Sequence, residues 1–157
     1  MLKPNIKRSE GFTIIEVLIV LAIAGLILLI VFLAVPALQR NARNTQVKNG
    51  ASAVLGAVNE FVDNNNGQLP TGGSIAADGT ITITGGSGTT TSTGKTQSGY
   101  SASFGTTMPT TAGQFVINTN HTCNNNAFST STTPRAIAIG YVVETSGSST
   151  APQCTES

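Results

Sequence analysis

The chain has 157 residues, only 10% of them charged and 5% aromatic, with a formal net charge of +1 and two cysteines. That length leaves room for one long helix and one small head, and excludes two full domains. The near-neutral balance, without a basic stripe, lacks the electrostatic footprint of a nucleic-acid binder, so no nucleic-acid partner is predicted.

Residues 1–11 carry Lys3, Lys7 and Arg8 against a single acid, Glu10, and end on Gly11. Losing this segment would take the net charge from +1 to −1. Phe12-Thr13-Ile14-Ile15-Glu16 follows, and from Val17 to Val35 nothing is polar or charged. A helix of roughly 20 such residues crosses a hydrocarbon core of ~30 Å, so a membrane is the first partner predicted. A secretory signal also begins with basic residues, but its apolar region is about 7 to 15 residues long. Basic flanks give no orientation, because Arg40, Arg43 and Lys48 follow the span as Lys3, Lys7 and Arg8 precede it.

Glu16 is the informative residue of this stretch. An ionised carboxylate in a span costs a few kcal/mol near the middle, less near the end, and asks for a positive partner. The nearest candidate is an amine at Phe12. The bland alternative is an acid tolerated at a helix start, where the macrodipole favours it by a few tenths of a kcal/mol.

The run Lys7-Arg8-Ser9-Glu10-Gly11, then Phe12-Thr13-Ile14-Ile15-Glu16, resembles the N-terminus of type IV pilins and pseudopilins. The resemblance implies cleavage between Gly11 and Phe12 by a prepilin peptidase, N-methylation of Phe12, and an assembly role for Glu16 with Phe12. It also implies a pilus assembly platform and identical subunits in a helical filament. The subunit would sit in the inner or cytoplasmic membrane before assembly and in an extracellular pilus afterwards. Pro36-Ala37-Leu38-Gln39 resembles the family's Pro-Ala-Tyr-Gln, and Gly25 sits where relatives often have glycine. Between these two points the chain is about three residues longer than the common pattern, or ~4.5 Å and ~300° of helix. The likeness covers the N-terminal part; beyond it, only the layout is shared.

One helix is predicted from Phe12 to about Asn64, in two parts, 12–38 and 39–66. The first is apolar on all sides. Gly25 admits a close neighbour, and Gly25 and Pro36 are the kink candidates, with a bend or an unwound turn expected at the proline. The second is amphipathic: Val47, Ala51, Val54, Leu55, Val58, Phe61 and Val62 form one stripe, opposite Lys48, Asn49, Ser52, Asn59, Glu60 and Asp63. Asn64-Asn65-Asn66-Gly67, with Pro70 behind it, supplies left-handed cap residues and a breaker.

Residues 67–157 read as a β-rich head, because Gly, Ser, Thr and Asn dominate. Strand candidates are Thr80–Thr84 after the Asp78-Gly79 turn, Tyr100–Phe104, Gln114–Asn118 and Arg135–Val143. The last would present Ile137, Ile139, Tyr141 and Val143 to the helix as a central strand. Gly85–Gly99 reads as a low-complexity surface loop. The fold class is thus α+β, a long N-terminal helix packed by its C-terminal half on a small antiparallel sheet.

Cys123 and Cys154 lie in the part that would be exported, where an oxidising compartment makes a disulfide the default over two separate thiols. A metal site is disfavoured, since His121 is the one further ligand nearby. No nucleophile–base set or phosphate loop accompanies the many Ser and Thr residues. The chain therefore reads as a structural protein without cofactor, metal or catalytic residues. Its first functional reading is a major pilin. The alternatives are a minor pilin or pseudopilin of a type II secretion or DNA-uptake machine, and a bitopic membrane protein with an exported binding domain.

Overall fold

A computed structural model describes residues 11–86, 91–146 and 149–157. The leader through Glu10 and positions 87–90 of the Gly/Ser/Thr run lie outside the described residues. Helix α1 runs Ile14–Asn64, and among the described residues nine strands follow it, giving an α+β fold. The chain divides into two compact units, Met1–Gln39 and Arg40–Ser157.

In the first unit no described residue covers α1. Every large hydrophobic side chain from Val17 to Leu38 is at least 39% exposed. The backbone stays helical through Gly25 and Pro36, so the unwound turn expected at the proline does not form. What Pro36 removes is the single hydrogen bond to the Phe32 carbonyl.

In the second unit α1 buries Val47, Ala51, Val54, Val58 and Phe61, as the stripe requires. Leu55 and Val62 flank that stripe half-buried, while Gly50 and Ala57 join it. The helix ends where Asn66 and Gly67 turn left-handed, at φ 54° and 80°. Gly67 N–H then donates to the Val62 carbonyl at 2.8 Å, closing the last turn from outside. The Arg135 guanidinium lies against Gly67, placing a cation at the negative end of the helix dipole.

Strands β1 (Gly72–Ile75), β2 (Thr80–Thr84) and β3 (Ser92–Lys95) form one antiparallel sheet in that order. The Asp78-Gly79 turn joins the first two: Gly79 takes φ 82° and donates to the Ala76 carbonyl at 2.9 Å. Strand β3 corrects the reading of 85–99 as loop throughout. It pairs with β2 through its backbone, and Gly94 lets it close on Ala57 and Ile81.

The second sheet has the order β4 (Ser101–Phe104), β5 (Gln114–Thr119), β8 (Ile137–Glu144) and β9 (Thr150–Glu156). Its pairings are antiparallel except β4 with β5, which is parallel. Phe115, Ile117, Ile137, Ile139 and Tyr141 from one face join Ile81, Ile83 and the α1 stripe in one core. Each fully buried Ile or Phe there contributes about 1.5–3 kcal/mol.

The hairpin β6 (His121–Asn124) and β7 (Ala127–Thr130) touches β8 and β9. Phe128, with Met108 and Pro109, reaches Gly140, whose missing side chain makes room for all three. The hairpin turns on Asn125-Asn126, both left-handed at φ 49° and 60°, the geometry that matches strand twist.

Candidate functional site

The N-terminus of α1 is built by two side chains. Thr13 precedes the first helical residue, and Glu16 occupies the third helical position. The Thr13 hydroxyl oxygen accepts from the Glu16 N–H at 3.3 Å, and Glu16 Oε2 accepts from the Thr13 N–H at 2.9 Å and from its hydroxyl at 2.7 Å. This reciprocal capping box satisfies two donors that a helix start otherwise leaves orphaned. It also ties the carboxylate back to Thr13, three residues earlier, at the entrance of the apolar run. Glu16 Oε1 has no hydrogen-bond partner among the described residues.

Phe12, next to this box, is 89% exposed and stands outside the helix. Gly11 and Gly25 are open: a Cβ built at either would meet nothing within 4 Å. Sequence reasoning weighed Glu16 for charge and missed its partner, although Thr-x-x-Glu before an apolar run is the readable signature of such a box.

In the second unit, Cys123 and Cys154 form a disulfide with Cα atoms 5.7 Å apart. The bridge ties the C-terminal strand to the hairpin, and Glu156 Oε2 accepts the Cys123 N–H beside it. His121 directs Nδ1 to the Thr119 carbonyl at 3.0 Å. No group of three His, Cys, Asp or Glu side chains poised for a metal occurs among the described residues.

A clasp on α1 fixes the end of β8. Arg43 Nε and its terminal nitrogen donate to the two oxygens of Glu144 at 2.8 and 2.7 Å. Asn44 donates to the Glu144 carbonyl and accepts its N–H, each at 2.8 Å. The paired guanidinium holds the Glu144 carboxyl below its usual range.

A basic leader, a glycine, an open Phe12 and a capped carboxylate entering an exposed apolar helix are the parts of a prepilin-type N-terminus. Residues 6–32 match the family described as the prokaryotic N-terminal methylation motif, the leader signature of type IV pilins. That motif indicates a type IV pilin-like or pseudopilin-type protein. Such a leader implies prepilin peptidase processing and pilus assembly, and it fits, with the apolar helix, a membrane-anchored precursor and a surface pilus. Neither the comparison with curated proteins nor that with solved structures yields a match.

Proposed function

We propose that the chain is the major structural subunit of a type IV pilus. In this reading a prepilin peptidase removes residues 1–11 by cutting after Gly11, and the new amino group of Phe12 is methylated. Residues 12–38 anchor the subunit in the inner or cytoplasmic membrane. An assembly platform then transfers them to the core of an extracellular filament, where residues 39–66 carry the head, 67–157. Burying the 12–38 helices against one another keeps their apolar surface from water, at ~25 cal/mol per Å².

The observation that carries this reading is the pairing of a wholly exposed apolar helix with a single carboxylate at its entrance. In a lipid-free bundle the carboxylate needs a cation. Glu16 Oε2 is taken by Thr13, which leaves Oε1 for the Phe12 amine of an adjoining subunit. That contact is head-to-tail, so it propagates as an open helix and does not close on itself.

The test is the yield of sheared filaments against cleaved subunit retained in the membrane. Glu16→Ala deletes one partner of a buried pair, at ~3 to 5 kcal/mol per subunit, and should abolish filaments while leaving insertion and the head intact. Glu16→Gln retains an acceptor for the capping box and loses only the charge, so its failure isolates the ion pair. Wild-type filament yield from both variants would show that Glu16 is merely a tolerated acid.

A further inference from the structure

Among the described residues, six of the ten charged side chains of the second unit contact other groups of their own chain. Arg43 pairs with Glu144, and Arg40 lies within electrostatic reach of the same carboxylate. Lys95 pairs with Asp78 at 3.2 Å, Arg135 lies against Gly67, and Glu156 accepts the Cys123 N–H. Lys48, Glu60 and Asp63 remain, exposed and without an ion-pair partner among the described residues.

These three share one face of α1. With 3.6 residues per turn, Asp63 and Glu60 fall about 60° and 120° round from Lys48, opposite the buried Val54, Val58 and Phe61. Lys48 cannot meet either acid within one helix, because the rise puts Glu60 about 18 Å and Asp63 about 22 Å from it along the axis, beyond the reach of one-turn pairs. The acids also sit at the negative end of the helix dipole, where the last turn itself holds no basic residue and Arg135 approaches from outside at Gly67. No ion pair among the described residues joins Lys48 to either acid. Gly56 lies on the same face, and a Cβ there would meet nothing within 4 Å, so the backbone is open to close approach.

We propose that the exposed face of α1 between Lys48 and Asp63 is a contact with a second copy, parallel and axially staggered, in which Lys48 of one copy meets Glu60 and Asp63 of the next. A face carrying one sign at one end and the opposite sign at the other is complementary to itself only when displaced or reversed. The choice of a parallel, displaced copy rests on the subunit reading above, in which every copy is anchored by the same end. The pairs then set axial register in the heads as Glu16 sets it in the core.

Charge reversal tests this in the full-length chain. Lys48→Glu alone, and Glu60→Lys with Asp63→Lys, should each lower sheared-filament yield by about fivefold, the factor one rim ion pair carries in an association constant. Combining all three reversals should restore it. Cleaved, disulfide-bonded subunit accumulating in the membrane shows that processing and folding survived. A second arm places Lys48→Cys and Asp63→Cys in one chain and treats filaments with a short bis-maleimide. A covalent ladder beyond dimer supports the open, parallel stagger, whereas crosslinking that stops at dimer means a reversed pair and overturns it. Full yield from the single-sign reversals, or no recovery in the combination, overturns it too while wild-type filaments uphold the subunit reading. Absence of filaments from the wild-type chain removes both.

Discussion

Two helical glycines, six residues apart on α1, should respond to alanine in opposite directions. At Gly50 a Cβ would lie 2.8 Å from Phe115 Cζ, 3.0 Å from Thr96 Oγ1 and 3.1 Å from Tyr100 Cε2. The rings cannot yield easily, since Phe115 is fully buried and packs edge-on to Tyr100 with centroids 5.3 Å apart. Alanine gains about 1 kcal/mol of helix propensity there, but overpacking a tight core costs about 1–3 kcal/mol, so Gly50→Ala should lose ~1 kcal/mol net. At Gly56 the same propensity gain meets no neighbour within 4 Å, and Gly56→Ala should stabilise by ~1 kcal/mol. For a head of this size the two variants should straddle the wild-type Tm by roughly 4 °C on either side, read by circular dichroism on cleaved, detergent-extracted subunit. Stabilisation of similar size by both would refute the close approach of β5 to the helix at Gly50.

Removing the bridge by Cys123→Ser with Cys154→Ser should cost about 3.6 kcal/mol, the loop-closure entropy of roughly 30 residues, visible as a lower denaturant midpoint. An unchanged midpoint, or two freely alkylated thiols in mature protein, would refute that. Asp78 is held down to about 2, first by the Thr80 N–H, then by the Thr80 hydroxyl and by Lys95. A depressed carboxylate stabilises above its unfolded value, near 3.8, and loses that contribution as pH falls toward about 2. The stability gap between wild type and Asp78→Asn should therefore narrow over that window in thermal melts; a gap independent of pH would contradict the assigned contacts.

The helix was legible because its cues are local and redundant. An apolar run, a stripe at 3.6 spacing and a left-handed Asn-Gly stop all point the same way, and Asn66 and Gly67 adopt the φ values such a stop needs. Strand β8 was legible for the same reason, with Ile137, Ile139, Tyr141 and Val143 alternating with Ala138, Gly140 and Val142. Strand β3 was not, because Ser92 and Gly94 carry no apolar pattern and the strand exists through its ladder to β2. The parallel pairing of β4 with β5 depends on where the 105–113 connection returns the chain, which side-chain periodicity does not encode. The hairpin does carry a local signal, since Asn125-Asn126 supplies two left-handed residues in a row. At the N-terminus the carboxylate is legible from its charge in an apolar run, whereas the role of Thr13 depends on where the helix begins, one residue after it.

The decisive measurement is the mass of the N-terminal peptide of the chain recovered from sheared surface filaments. The expected first residue is Phe12 bearing one added methyl group, with residues 1–11 gone. Gly11→Val is the matched control: a β-branched side chain at the cut should obstruct a site shaped for glycine and leave uncleaved precursor in the membrane, without filaments. Filaments built from chains that retain Met1–Gly11, or normal cleavage of Gly11→Val, would contradict that expectation.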